Sequence, residues 1–491
     1  MKKTLLALSL AAALAASAGT AFAQQTPDAS PAVKLAQGAT SVPGLNENSG
    51  APTGTPPQIA ARPSDRDLLP FAATLNGLGI DMHALLLNFF MTNPSTGVNT
   101  GRTGNSGILI LGSDVDLGKL AGLNGGFFHI EEAFFVFKHN VGSAPNSFAG
   151  DVGSYMAGQP FPNNTPPNYL SLLTYEQHLM GDRLQLEAGR MNASRYFELQ
   201  NCENIATCLD PIAQFTADIA PPPFATWGGR AKYLFNDKQF AQFGVFEDHF
   251  SEVNTQGWDW TTRNATGALI MGEYGYRSSF ANARFPFSYE LIGFYNTSNQ
   301  SDPAYGAFGR SKVLFPGNPA DTRRGTGGAM FRWQKFVWRD DDGATADLAP
   351  RSLALFGTVS GTPDPMQPYR AYAEVGTTLF APFAHRPFDR ISAKVSYVRV
   401  GGHELDFQQD ARAVSGGPDV RTSPNEFRLE IDGHFAIAKA VALEPMVQYI
   451  VNPDTFNNPF SAHVPHSGFV VGVTLIASLG DLLGISMPPP H

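Results

Sequence analysis

The sequence has no long uncharged apolar segment after its first residues. Beyond residue 23, no stretch reaches the roughly 20 apolar residues that a membrane-spanning helix requires,. Basic residues are also few, with 34 Lys and Arg against 43 Asp and Glu, and they form no dense cluster. Proteins that bind nucleic acid show such clusters. We therefore expect neither a transmembrane helix in the mature chain nor a nucleic-acid partner.

The signatures of common catalytic sites are missing as well. The chain contains no GxSxG, HExxH or P-loop pattern,. Carboxylates are numerous enough for two of them to form a glycoside-hydrolysing pair ~5–10 Å apart, so an enzyme acting on glycosides stays an alternative. We predict no metal and no cofactor, because ligand groups at suitable spacing are lacking.

The N-terminus has the pattern of a secretory signal. Lys2 and Lys3 precede the apolar run Leu5–Ala16, and the small-residue site Ala21-Phe22-Ala23 follows. We therefore predict a signal peptide over residues 1–23. The next segment, 24–65, is rich in Pro, Ala and Thr and has no hydrophobic periodicity, which predicts a disordered periplasmic arm.

Cysteine is nearly absent, with only Cys202 and Cys208. They lie six positions apart in a stretch that we interpret as a loop. Export to an oxidising compartment favours a disulfide between them. Closing so small a ring stabilises the fold by ~2 kcal/mol, so its role is to stiffen the loop.

Strict alternation of apolar and polar residues is the main pattern that is present. In the segment 425–451, Phe427, Leu429 and Ile431 share one face of a strand, and Arg428 and Glu430 fall on the other,. About sixteen such segments follow one another, most of them 8–12 residues long, which is the length of a tilted strand in a bilayer. They are expected to begin near Ile80, Gly107, Gly126, Tyr169, Arg183, Trp227, Phe240, Gly267, Pro286, Gly327, Ser352, Arg370, Asp389, Asn425, Val441 and Ser467. The sequence thus predicts an all-β chain.

The connections between these segments alternate in length. Short links occupy 180–182, 236–238 and 436–440, whereas 140–168, 192–226, 297–326 and 401–424 are long. A soluble β-sandwich has no reason to keep that order. An outer-membrane barrel has short periplasmic turns and longer extracellular loops. We therefore predict a transmembrane antiparallel β-barrel over 66–478, with a C-terminal tail over 479–491.

In such a barrel the apolar face meets lipid and the polar face lines the lumen. A barrel of 16 strands leaves an aqueous channel. For each inward residue the simpler interpretation is a solvated wall residue without a specific function. The predicted lumen lining consists of His178, Gln185, Glu273, Arg332, Glu374, Lys394, Arg428, Glu430, Asp432 and His434.

Three groups of residues also carry a family resemblance. The first group is the run 115–123 with Gly125-Gly126, the second is the hairpin with Tyr175-Glu176-Gln177 and Ala188-Gly189-Arg190, and the third is Leu443-Glu444-Pro445. All three resemble the OprB-like carbohydrate-selective porins. The resemblance covers about 66–478. It implies a 16-stranded barrel of the Gram-negative outer membrane through which sugars diffuse. The chain departs from many such barrels because its last strand is followed by a tail without a terminal aromatic residue.

The constriction is the most specific prediction. We assign Glu176, Glu187 and Arg190 from one hairpin, with Arg230 and Lys232 from the next strand. Carboxylates and guanidinium groups replace the water that hydrates a sugar's hydroxyls. Arg190 falls on the same face of its strand as its apolar neighbours, so it reaches the lumen only from a strand end or through a bulge. The alternative is that these charges form salt bridges that only set pore width.

The functional prediction is a passive channel for mono- or oligosaccharides. A channel for another small solute, such as organic acids, is the second alternative. The predicted surroundings are outer-membrane lipid, and the chain is expected to be a monomer or a homotrimer.

Overall fold

The computed structural model describes residues 68–486 apart from 142–144, 158–166, 198–203, 205, 209, 221–222, 249–255, 281, 342–349 and 439. The predicted signal peptide 1–23, the arm 24–65, Cys202 and the final residues of the tail lie outside this description. Within it, no helix is long and apolar enough to cross a membrane.

Sixteen strands make up most of the fold. They are β1 Ile80–Asn93, β2 Arg102–Asp116, β3 Gly126–His139, β4 Asn168–Leu179, β5 Leu184–Met191, β6 Thr226–Leu234, β7 Gln239–Asp248, β8 Gly267–Arg277, β9 Phe287–Gly306, β10 Ala320–Arg339, β11 Ser352–Gly361, β12 Tyr369–Phe380, β13 Arg390–Val400, β14 Asn425–Ala438, β15 Val441–Val451 and β16 Gly468–Ser478. The helices are α1 Pro70–Gly77, α2 Leu117–Ala121, α3 Phe148–Val152, α4 Gly402–Val414 and α5 Leu479–Leu483.

The strands form one closed antiparallel barrel. Each strand pairs with its neighbours in sequence, and β1 pairs with β16, with Leu85 opposite Ser478 and Thr92 opposite Val471. Closure leaves no unpaired sheet edge, which a bilayer requires. The predicted fold of about sixteen antiparallel strands is confirmed.

Most strands begin within a residue of the predicted position, and two begin earlier. We expected β2 to start near Gly107 and β10 near Gly327, but they start at Arg102 and Ala320. β9 likewise continues to Gly306, so the long connection predicted over 297–326 is only 307–319. The added residues of β9 and β10 are mostly polar and pair with one another, for example Arg323 with Gln300. Their sequence therefore shows no alternation of apolar and polar residues.

The connections at one end of the barrel are longer on average than those at the other. The first end carries 94–101, 140–167, 192–225, 249–266, 307–319, 362–368, 401–424 and 452–467. The other end carries 117–125, 180–183, 235–238, 278–286, 340–351, 381–389 and 439–440. All the connections longer than 340–351 lie at the first end, although 94–101 and 362–368 there are also short. Both ends of the barrel's chain, at Ile80 and Ser478, lie on this second side.

Burial is inverted relative to a soluble protein. On β14, Leu429 and Ile431 are 46% and 64% exposed, whereas Arg428 and Glu430 are 0% and 2% exposed. Apolar groups remain on the outside because the surrounding medium there is lipid. Polar groups point inward, where they hydrogen-bond to one another. The exposed apolar face and the buried polar face are the two faces that alternate in the sequence of this strand.

The described parts of two long connections pack inside the barrel. Connections 140–167 and 192–225 contribute Tyr155, Ile212 and Phe215 to an apolar cluster that also packs against the wall at Tyr369. On the wall, Gly244 allows Phe197 to approach closely, since a Cβ there would lie 2.8 Å from the Phe197 ring. The loops are thus packed elements of the interior.

Candidate functional site: a charged wall beneath an inward loop

Strand register brings three of the predicted constriction residues together. Glu176 on β4 lies opposite Glu187 on β5, which lies opposite Arg230 on β6. The Arg230 guanidinium donates to Glu187 Oε2 at 2.9 Å and to Glu176 Oε1 at 3.2 Å. All three side chains are buried. Two like charges placed directly opposite destabilise a sheet, and here the shared guanidinium offsets that repulsion.

The inward loop completes the coordination of this group. Tyr196 donates its hydroxyl to Glu187 Oε1 at 2.6 Å, and Thr174 donates to the same oxygen at 2.8 Å. The Arg230 guanidinium carbon lies 4.4 Å from the Tyr196 ring centre, a cation–π distance,. Glu187 therefore accepts from three residues, and its carboxylate is fixed in one orientation.

The same register builds a second polar row beside the first. His178, Gln185, Lys232, Gln242 and Glu273 are successive partners across β4 to β8. Gln242 donates to Glu273, and the Lys232 ammonium lies 4.8 Å from the Phe240 ring centre. Lys232 thus belongs to this row. Further along the wall, Arg332 lies 3.4 Å from Glu290.

Arg190 lies apart from the other constriction residues. Its guanidinium donates to the Ala225 carbonyl at 2.9 Å and lies 5.8 Å from the Trp227 ring centre. The cause is Gly189, whose φ of +148° interrupts the alternation of β5 and where a Cβ would collide with the Leu173 carbonyl. Arg190 is consequently buried in spite of its parity, and it holds the end of the loop.

A matching charge cluster lies on the far wall. Arg428 contacts Glu374 at 3.3 Å and Glu430 at 3.6 Å, and the Lys394 ammonium contacts the same two carboxylates at 3.7 Å and 3.3 Å. Gln448 donates to Glu430 at 2.6 Å. Each cation is therefore flanked by two carboxylates, as Arg230 is on the near wall.

The remaining predicted lumen residues on β14 are also buried. Asp432 is 3% exposed, and the His434 imidazole lies 3.0 Å from Glu444. They lie on the same face of the strand as Arg428 and Glu430.

The loop residues that meet these charges were missed by sequence reasoning. Thr207 donates to Glu430 at 2.5 Å, and Arg195 forms an ion pair of 2.5 Å with Glu131 on β3. A loop has no periodicity that would reveal such contacts. Glu131 and His129, in contrast, alternate with Ile130 on β3, so the alternation in the sequence could have identified them as inward residues.

The loop also encloses ionisable groups outside the strands. A small cavity lies beside Asp218, between the loop and β7. Burial and the neighbouring Asp248 raise the pKa of Asp218 to about 8. Cys208 is buried and disulfide-bonded. Since Cys202 lies outside the described residues, its pairing with Cys208 stays a prediction.

A closed 16-stranded barrel with an apolar exterior, a charged interior and inward loops defines a porin of the outer membrane,. The family model for the carbohydrate-selective porins of the OprB family matches residues 102–475. The chain belongs to this family.

Relatives and solved structures agree with that assignment. The chain is 23% identical to Porin B of Pseudomonas aeruginosa over 355 residues, covering 70% of this chain and 76% of that protein. It is also 23% identical over 399 residues to the putative porin QuiX of Acinetobacter baylyi, covering 76% and 85%. A high-pH structure of Pseudomonas putida OprB superposes with a TM-score of 0.70 at 20% identity, covering 83% of this chain and 96% of that one. This last likeness concerns the fold.

Proposed function

We propose that this porin favours neutral sugars over organic acids, and that Glu176, Glu187 and Arg230 form the sugar-contacting wall of its constriction. The observation that supports this is charge compensation. Arg230, Arg428 and Lys394 each contact two carboxylates at 2.9–3.7 Å. Each of the three positive charges is therefore compensated by carboxylates, so none is left to attract an anionic solute.

A sugar interacts with such a wall differently. Each of its hydroxyls both donates and accepts, so it exchanges water-mediated hydrogen bonds for bonds to carboxylates and guanidinium groups without adding charge. Binding stays weak, because conduction requires that the solute also leave. Specificity then comes from the position of hydrogen-bonding groups beneath the loop.

Catalysis is no part of this proposal. Hydrolysis of a glycoside uses one carboxylic acid and one carboxylate with access to the sugar, and Glu176 and Glu187 both hold the same guanidinium. The purified protein should therefore leave a chromogenic glycoside intact. Product formation above a heat-denatured control would support the enzyme alternative instead.

Transport measurements test the preferred solute. Proteoliposomes containing the porin should take up glucose faster than gluconate, a sugar acid of similar size. Equal or faster uptake of gluconate would contradict the proposal.

Outer-membrane lipid around the apolar face and a monomeric or homotrimeric state belong to the same proposal. Light scattering of the detergent-solubilised protein measures the oligomeric state.

Paired substitutions test the constriction. The double variant Glu187→Gln, Arg230→Met removes both charges, so that neither is left buried alone, which would cost ~3–5 kcal/mol. Block of ion current by sugar in planar bilayers should weaken roughly 10-fold, equal to about 1.4 kcal/mol of binding. Arg421→Gln, in the exterior pair with Asp406 at 3.1 Å, is the control. Unchanged block in the double variant would mean that these charges only set pore width.

A further inference from the structure

Two histidines beside the constriction, His129 buried and His178 partly buried, each face carboxylates with both ring nitrogens. His129 Nδ1 lies 2.5 Å from Asp114 Oδ1, and its Nε2 lies 3.4 Å from Glu176 Oε2. His178 Nε2 lies 3.1 Å from Glu176 Oε1, and its Nδ1 lies 3.4 Å from Asp182 Oδ1. The five groups form a continuous ladder in which Glu176 is the central carboxylate.

The chemistry of imidazole limits the charge states that fit this ladder. A neutral imidazole has one N–H and one lone pair, whereas imidazolium donates from both nitrogens. A carboxylate accepts only. With a neutral ring, one of its two carboxylates would face a lone pair. When both carboxylates are ionised, both contacts of each histidine are attractive only if the ring is protonated.

The ladder connects the constriction to the short-turn end of the barrel. Glu176 also contacts Arg230 at 3.2 Å, and Asp182 lies in the turn 180–183 with a side chain 28% exposed. Protons therefore have access from that end. The other charged and titratable groups that face the ladder from neighbouring elements are His83, Glu131, Glu187, Arg195 and Lys232.

We propose that His129 and His178 determine the ion selectivity of the channel by holding protons next to Glu176. When both rings are charged, Glu176 has three cationic partners, His129, His178 and Arg230. When both lose a proton, the wall loses two positive charges and Glu176 keeps Arg230 as its cationic partner. The channel then becomes more selective for cations. This inference rests on the proposed place of Glu176 in the constriction.

Reversal potentials across planar bilayers test the inference. Measured under a KCl gradient between pH 5 and pH 9, which brackets the value of about 6.5 for a free imidazole, the ratio of K⁺ to Cl⁻ permeability should rise several-fold. The double variant His129→Gln, His178→Gln should keep the high-pH ratio throughout. His463→Gln should behave like the wild type, because this exterior histidine faces the Val98 carbonyl.

The outcomes separate this inference from the proposed function. A double variant that responds to pH as the wild type does, or a wild type with a constant ratio, would overturn the role of the histidines while leaving sugar transport intact. The single variant His178→Gln, at the open end of the ladder, should lose part of the response and provides the test if the double variant does not fold. A protein that folds and carries no current would refute both proposals.

Discussion

Thr207 and Glu430 join two opposite sides of the barrel through a hydrogen bond of 2.5 Å. Thr207 belongs to the connection between β5 and β6, and Glu430 lies on β14, about half of the barrel's circumference away. The neighbouring Asn204 reaches the Glu444 carbonyl on β15 at 3.4 Å. The loop therefore crosses the lumen and is attached at its far wall, so its position determines how wide the passage is.

Releasing this attachment should widen the channel. Thr207→Val keeps the shape of the side chain and removes its hydroxyl, so the loop loses its bond to Glu430, a bond to a charged group that is worth about 1.5–3 kcal/mol. We expect a larger single-channel conductance with more frequent fluctuations in planar bilayers. Thr92→Val, in β1 at the exposed surface, is the control. Identical traces for Thr207→Val and the wild type would show that other contacts suffice to hold the loop.

The lipid face makes a prediction about stability. Leu429 lies near the middle of β14 with its side chain outward. Leu429→Arg should therefore cost about 2–4 kcal/mol of folding free energy in a bilayer. Leu429→Phe keeps an apolar group there and should be tolerated. Denaturant titration of the refolded protein in liposomes measures both, and equal effects would argue against contact with acyl chains.

The orientation of the barrel can be tested with epitope tags. A tag at Asn318, in the connection 307–319, should be labelled on intact cells, because the longer connections of a porin face outward,. A tag at Asn236, in the turn 235–238, should be labelled only after the outer membrane is permeabilised. The reverse labelling pattern would mean that the barrel has the opposite orientation in the membrane.

The raised pKa of Asp218 predicts a dependence of stability on pH. Its pKa is about 8 in the folded protein, against about 3.9 for an exposed Asp. Between these values the folded state binds more protons than the unfolded state, so this group's contribution to stability falls as pH rises from ~4 to ~8.

Asp218→Asn removes that titration and retains a residue type that tolerates the left-handed backbone found there, with φ of 60°,. The melting temperature of the variant should decline less than that of the wild type between pH 5 and pH 8. Asp237→Asn, in an exposed turn, should decline like the wild type. If Asp218→Asn and the wild type decline in parallel, Asp218 is ionised in the folded protein over this whole range.

The disulfide gives a direct chemical prediction. Peptide mapping by mass spectrometry without reductant should find Cys202 linked to Cys208. After reduction, both thiols should become available to alkylating reagents in the unfolded protein. Complete alkylation before reduction would contradict the pairing.

Alternation in the sequence was enough to place most of the barrel. Ile80, Gly126 and Asn425 begin strands as predicted, because one face of each strand meets lipid and the other meets polar groups. The same rule failed at the outer ends of β2 and β10. The residues there are mostly polar or glycine, so their sequence carries no period of two.

The site was predictable only where the strands determine it. The alternation in the sequence puts Glu187 and Arg230 on the polar faces of their strands, and the register sets them opposite each other in one ladder. The burial of Arg190 follows from the backbone at Gly189, with φ of +148°, which no periodic pattern encodes. Tyr196 and Thr207 belong to a loop whose course depends on packing against distant strands, and such contacts become visible only in the folded chain.

The pairing of β1 with β16 makes the barrel a series of hairpins with a single long-range seam. Every other ladder joins strands that follow each other in the sequence, and each can form once its second strand is present. The seam joins Leu85 to Ser478, so two edges stay open until the last strand arrives. Open edges are templates for pairing with another chain. The risk of pairing with another chain during insertion is therefore greatest at β1 and β16, and it ends when the ladder between them forms.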